Sequence, residues 1–266
     1  MSEDEIILTH ILQCRSLNLV IDKPALTPTQ QTQFQDYKRR REAGEPLQYI
    51  LGTCNFMGLE LAVNPSVLIP RPETEQLVDA ALKYFKGGVA LDLGTGSGNI
   101  AIALAKFVPE SQIVSVDISA QALELAKINA RNNGVENRIQ FIHDDFSVSL
   151  ETRQSPWASA CNNKLFDLII SNPPYIPTKQ LSTLPRDVQK EPVTALDGGE
   201  DGLNFYRIII KYTPHLLRKG ACLMMEFGDG QAEAVKKLVK AQKAFSDIEI
   251  IQDLAGRDRI IKALLT

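Results

Sequence analysis

At 266 residues, 44% hydrophobic and 23% charged, the chain can bury one large core with a small appendage and needs no disulfide or metal staple. A net charge of −3 excludes any general attraction to polyanions, so a nucleic-acid substrate would need a local basic face. Cys14, Cys54, Cys161 and Cys222 form no C-x-x-C pair and lie far from His10, His143 and His215, which argues against a metal site and for reduced thiols.

The acidic start, with Glu3, Asp4 and Glu5, lacks the basic region of a secretory signal. No apolar run approaches the ~20 residues of a membrane span. A soluble, cytoplasmic protein without membrane contact is expected.

Ile6, Ile7, His10, Ile11 and Cys14 fall at helical spacing, and a second helix is predicted over 29–43 after the Thr27-Pro28 start signal, ending at Gly44. Residues 47–63 read as extended, with Asn55-Phe56-Met57-Gly58 turning between two short strands. Residues 1–46 are therefore expected to form a small helical domain, 47–72 a linking hairpin, and 73–266 the main domain.

In that main domain a helix is predicted over 74–85. Strands are expected at 89–93, 113–116, 139–142, 166–170, 221–227, 248–251 and 260–265, with helices over 99–107 and 119–132 between the first three. Ser119 supplies the polar cap and Gly134 the stop of the second of these helices. The alternation predicts βαβ units and a doubly wound, mostly parallel seven-stranded α/β sheet. Two irregular stretches interrupt it: 151–164, read as a surface loop around Trp157, and 176–202, a length typical of a lid or binding loop.

Two stretches carry chemistry. The first strand runs into Asp92-Leu93-Gly94-Thr95-Gly96-Ser97-Gly98, where glycines let the backbone turn tightly and approach a ligand at a helix N-terminus. Asp117 ends the next strand and offers a carboxylate to ribose hydroxyls. Asp145 and Phe146, after the third strand, could take an exocyclic amine and stack on a base. Because Gly96, Gly98 and Ala101 also satisfy the dinucleotide fingerprint, a dehydrogenase binding NAD remains open at this point.

The second stretch, Asn172-Pro173-Pro174-Tyr175, follows the fourth strand. Prolines stiffen the backbone and lack N–H, so the Asn172 side-chain oxygen and the Pro173 carbonyl can both accept from one NH2 group. An amide nitrogen is a poor nucleophile, and holding both its N–H bonds orients it; positioning of this kind lowers barriers by about 7 to 11 kcal/mol in favourable cases. Tyr175 adds a flat face for a planar group.

The pairing of 92–98 with 172–175 resembles amino and amide N-methyltransferases. Three further segments, Gly44-Glu45-Pro46-Leu47-Gln48-Tyr49-Ile50-Leu51-Gly52, Leu68-Ile69-Pro70-Arg71-Pro72-Glu73-Thr74-Glu75 and Glu191-Pro192 with Gly198-Gly199-Glu200-Asp201-Gly202-Leu203, closely resemble the HemK/PrmC family of peptide chain release factor glutamine-N5 methyltransferases.

The resemblance implies a Rossmann-like class I methyltransferase fold. It also implies S-adenosyl-L-methionine as cofactor, S-adenosyl-L-homocysteine as product, no metal, and the glutamine of the Gly-Gly-Gln loop of class I release factors as substrate. Carried over, Gly94, Thr95, Gly96, Ser97, Gly98, Asp117, Asp145, Phe146 and Asn172 would contact the cofactor. Asn172, Pro173, Pro174, Tyr175 and Arg71 would hold the glutamine. The helical domain, N-terminally short beside that family, would grip the release factor, and the protein is expected to be monomeric.

The competing reading is an adenine or guanine N-methyltransferase acting on DNA or RNA with the same four residues. Residues 1–72 carry seven Lys and Arg against eight Asp and Glu, and the basic run Lys38-Arg39-Arg40-Arg41 reads as a solvated helix face, so direct nucleic-acid binding is not expected. A non-catalytic scaffold would have no need of the 172–175 run.

Overall fold

The computed structural model describes residues 1–14, 25–152 and 165–266. Two helices open the chain, each started by a reciprocal cap. Ser2 and Glu5 satisfy each other's backbone N–H groups at the head of α1 (Glu3–Leu12), and Thr27 and Gln30 do so for α2 (Pro28–Glu42). Helix α3 (Leu47–Leu51) follows, and Gly52, at φ 76°, stops it.

Here the structure corrects the extended reading of 47–63, because its first five residues are helical. Tyr49 and Ile50 favour strands locally, but burying Leu47, Tyr49 and Ile50 together decides the conformation. The hairpin is confined to β1 (Thr53–Phe56) and β2 (Leu59–Ala62), joined through Met57 and Gly58. Glu75 of α4 (Pro72–Tyr84) accepts from the Met57 N–H at 2.7 Å and fastens that turn to the helix.

The large sheet contains β3 (Gly88–Leu93), β4 (Ser111–Asp117), β5 (Ile139–His143), β6 (Phe166–Ser171), β7 (Leu217–Glu226), β8 (Phe245–Gln252) and β9 (Asp258–Leu265). Its order is β5-β4-β3-β6-β7-β9-β8, parallel except at β9, which pairs antiparallel with both neighbours. This is the mostly parallel, seven-stranded α/β sheet expected from the sequence. The chain goes one way from β3 to β4 and β5 and the other way to β6 and β7, so the carboxyl ends of β3 and β6 diverge at a switch point, where α/β sheets bind ligands. The Ser171 hydroxyl donates to the Leu93 carbonyl at 2.7 Å and ties those two ends together.

Alternating residues feed two cores. Ala90, Leu168, Ile170 and Met224 face α4 and α5 (Asn99–Phe107), among Leu77, Val78, Ile102 and Leu104. Leu91, Ile169, Leu223 and Met225 face the other side, among Leu150, Tyr206, Ile209, Val235 and Val239. Those partners belong to α7 (Phe146–Thr152), α8 (Asn204–Tyr212) and α9 (Ala232–Ala241), three helices that the sequence reading does not name. Neither α8 nor α9 has a side-chain cap to mark its start in the sequence.

Helix α6 (Ala120–Asn132) begins at the Ser119 cap as expected. Of the expected 151–164 loop, Glu151 and Thr152 finish α7, and the remainder, with Trp157 and Cys161, lies outside the described residues. Cys14, Cys54 and Cys222 are free thiols. Among the described residues no helix is long and apolar enough to cross a membrane.

Buried Asn129 of α6 links the hairpin to the glycine turn. Its amide oxygen accepts from the Ala62 N–H at 2.7 Å, while its NH2 donates to the carbonyls of Ala62 and Ser97 at 3.0 and 2.9 Å. Asn129→Ala leaves these buried groups unpartnered and is expected to cost about 1–3 kcal/mol, read as a lower urea midpoint with an unchanged denaturant slope.

Candidate active site

The turn after β3 carries left-handed backbone at Gly94 and Gly96, with φ 77° and 54°. A Cβ at Gly96 would meet nothing within 4 Å, and one at Gly94 only the Phe146 ring edge at 3.9 Å, so both present bare backbone to open space. Gly98 differs: a Cβ there would press on Ile102 and Ala126 at 3.0 and 3.1 Å, so its role is helix packing.

The open space is a cavity of about 320 Å³, within the ~300–1,000 Å³ range of small-ligand sites. It gathers Gly94, Gly96, Asp117, Asp145, Phe146, Asn172 and Pro174 from the sequence-selected residues. Thr95 and Ser97 are buried beneath the turn, and Gly98, Pro173, Tyr175 and Arg71 also stand outside its lining. Sequence reasoning missed Ile118, Phe205 and the short 66–68 segment, while 192–195, which also close its walls, belong to the 176–202 loop expected to act as a lid or binding loop. Ile118, directly after the acidic strand end, was the one with a readable signal.

Asp117 is held from both sides. Its Oδ2 accepts from the Gly96 N–H and its Oδ1 from the Ser119 N–H, both at 2.8 Å, and burial raises its pKa despite these bonds. Asp145 Oδ1 accepts from the Ser147 N–H, the Ser147 hydroxyl and the Val148 N–H, which makes it a bracket for the first turn of α7. The Phe146 ring leans on Phe205 with centroids 5.6 Å apart. Beneath the turn Asp92 is fully buried, and its Oδ1, like the Ser97 hydroxyl, has no hydrogen-bond partner among the described residues.

The 172–175 corner is packed by backbone without side chains. A Cβ at Gly198 would lie 2.8 Å from the Pro174 carbonyl oxygen, one at Gly202 2.3 Å from that of Tyr175, and one at Gly228 2.9 Å from the Tyr175 ring. Gln231 completes the clamp: its NH2 donates to the Tyr175 carbonyl at 3.0 Å and its oxygen accepts from the Gly228 N–H at 2.9 Å. Burial pushes the Tyr175 phenol up to about 12, so it stays protonated at neutral pH.

The Asn172 NH2 donates to the Thr74 hydroxyl at 3.0 Å, and Thr74 donates to the buried Glu226 carboxylate at 2.7 Å. Arg71 spends its guanidinium on Glu191, whose other oxygen accepts from the Ile69 N–H at 3.1 Å. That pair fastens the 176–202 loop to the linker, and Arg71 acts on Tyr175 only through its field.

Residues 85–253 match the family model described as a methyltransferase domain, and residues 2–52 match the PrmC N-terminal domain. A relative from Geobacter sulfurreducens, named release factor glutamine methyltransferase, is 42% identical over 97% of this chain and 87% of its own length. Another of that name from Moorella thermoacetica is 41% identical over 90% of this chain and 81% of its own. The chain belongs to the release factor glutamine methyltransferase family. A crystal structure of a methyltransferase from Pyrococcus furiosus shares the fold with a TM-score of 0.54 and 17% identity, over 90% of this chain and 98% of that one.

In this member of the release factor glutamine methyltransferase family the basic run of α2 is neutralised. Lys38 pairs with Asp4, Arg39 with Asp36, Arg40 with Glu45, and Arg41 with Glu3 and Asp187. A nucleic-acid reading therefore loses the basic run of the amino-terminal segment.

Two predictions follow from this geometry. Gly198→Ala should lower methyl transfer by about 100-fold, since a shift of about 1 Å at a reacting centre has that effect; circular dichroism would confirm a retained fold. The second concerns pH. Asp92 and Glu226 are each pushed up to about 7 by burial, above their values in an unfolded chain. The folded state thus keeps protons that the unfolded chain releases, and this stability is complete below the unfolded values and lost as pH rises through about 7. The urea midpoint should be lower at about pH 8 than at about pH 6, with a smaller difference in Glu226→Gln.

Proposed function

We propose that the protein transfers a methyl group from S-adenosyl-L-methionine to the side-chain amide nitrogen of the glutamine in the Gly-Gly-Gln loop of class I release factors, and so supports translation termination. The observation that carries this reading is the orientation of Asn172, whose NH2 is spent on Thr74 so that its oxygen remains for a substrate. The identity with release factor glutamine methyltransferases over most of the chain supports the same substrate.

The cavity fits the cofactor on its own chemistry. Asp117 keeps acceptor capacity on both oxygens for vicinal hydroxyls after taking its two N–H groups, and Asp145 Oδ2 takes part in none of the bonds that bracket α7. Phe146, Phe205 and Ile118 give apolar walls for a base, while Gly94 and Gly96 admit close backbone contact. Bound here, the cofactor supplies an electrophilic methyl carbon.

The chain's own residues do the positioning. Asn172 Oδ1 and the Pro173 carbonyl accept the two N–H bonds of the glutamine carboxamide, fix its plane, and stabilise the positive charge that grows on nitrogen. Pro174 and Tyr175 hold the flat amide against the corner. Arg71 serves the substrate side indirectly, by fixing the 176–202 loop through Glu191. In this reading residues 1–46 grip the release factor, 47–72 link, and 73–266 carry out the transfer.

The test is to incubate the protein with labelled cofactor and a class I release factor, DNA or RNA, and to map the product by mass spectrometry. One added methyl on the Gly-Gly-Gln glutamine is expected, and label confined to nucleic acid would overturn the reading. Asn172→Ala should abolish transfer yet still bind S-adenosyl-L-homocysteine in calorimetry.

A further inference from the structure

Glu226 ends β7 with 1% of its surface exposed, and nothing in the transfer reaction so far uses it. It lies 152 positions from Thr74 in sequence, yet Thr74 bridges its carboxylate to Asn172. We propose that Glu226 is a positioning residue that, through the Thr74 hydroxyl, sets which end of the Asn172 carboxamide faces the substrate. The proposal rests on the amide-methylation reading above and adds to it the device that holds the accepting oxygen in place.

The number of donors available sets the direction of each bond. A carboxylate only accepts, so an ionised Glu226 takes the single hydroxyl hydrogen of Thr74. The Thr74 oxygen can then only accept, and the part of Asn172 that can satisfy it is the NH2 group. The Asn172 oxygen is thereby turned away from Thr74, where a substrate NH2 can donate to it. A protonated Glu226 no longer enforces this order, because it donates as well as accepts. When its O–H donates to Thr74, the Thr74 hydrogen is free to donate to the Asn172 oxygen, and the rotated amide presents NH2 to the substrate NH2, donor against donor.

The setting makes both states reachable near neutrality. Glu226 faces Glu73 and Thr74 from α4, Asn172 and Tyr175 from the corner after β6, Tyr206 from α8, whose hydroxyl donates to the Glu226 carbonyl at 2.8 Å, and Arg259 from β9. Burial raises its pKa most and Glu73 adds to this, while the Thr74 hydrogen bond, the charge of Arg259 and the nearby Asn172 amide lower it, for a net value of about 7.

The experiment compares wild type with Glu226→Gln, Thr74→Val and Thr74→Ser, measuring methyl transfer to a release factor and S-adenosyl-L-homocysteine affinity across the neutral pH range. Wild-type kcat should fall as pH drops through about 7. Glu226→Gln imitates the protonated carboxyl at every pH and Thr74→Val removes the bridge. Both should lose about 100-fold in kcat, and both should lose that acid limb while keeping cofactor affinity. Thr74→Ser, which restores the hydroxyl, should recover most of the loss and the acid limb.

A second readout is independent of turnover: the side-chain amide resonance of Asn172, assigned by its disappearance in Asn172→Asp, should titrate in wild type and not in Glu226→Gln. Wild-type kcat with an intact acid limb in Glu226→Gln and Thr74→Val, or an Asn172 resonance that does not titrate in wild type, would overturn the proposal. Should wild type methylate no release factor, the substrate reading fails separately, and the Asn172 resonance decides the positioning claim.

Discussion

Everything at this site hangs on the divergence of β3 and β6, held at its root by the Ser171 hydroxyl on the Leu93 carbonyl. One side of the opening receives the glycine turn and Asp117, the other receives the Asn172 corner, and the sheet sets the distance between them. Parallel strands buried on both faces make that distance stiff. Loops attached to such a frame can carry chemistry that needs two groups in fixed register.

Around this opening stand acids whose pKa values are raised, among them the buried Asp92 and Glu226 and the half-buried Asp117. Their desolvation costs stability, which places them with function more readily than with folding. Each has a different neighbourhood. Asp117 sits between two backbone N–H groups, Asp92 lies under the turn with one oxygen unpartnered, and Glu226 accepts from the Thr74 hydroxyl. The raised values follow from burial more than from like charges, so each acid answers chiefly to what is placed beside it.

Much of the frame was legible because its signals are local. Ser119 and Gly134 stand beside the two ends of α6 that they delimit, and the glycine turn and the 172–175 run announce themselves by composition. What escaped depends on distance in the chain. The Thr74–Glu226 and Arg71–Glu191 contacts join residues 152 and 120 positions apart, and no period or spacing encodes them. Short α3 and the isoleucine-rich α8 escaped for a related reason, since their conformation is decided by what they bury. Thr95 and Ser97 show the converse: the glycine motif includes them, yet their side chains turn into the protein.

The 176–202 loop touches three separate parts of the molecule. Asp187 pairs with Arg41 of α2, Glu191 with Arg71 of the linker, and Gly198 and Gly202 press against the backbone of 174–175. A pull on the amino-terminal helices therefore has a path, through one continuous strip of chain, to the backbone of Pro174 and Tyr175. Under the proposed function that path joins grip to chemistry, giving a docking event on one arm a route by which to tune geometry on the other.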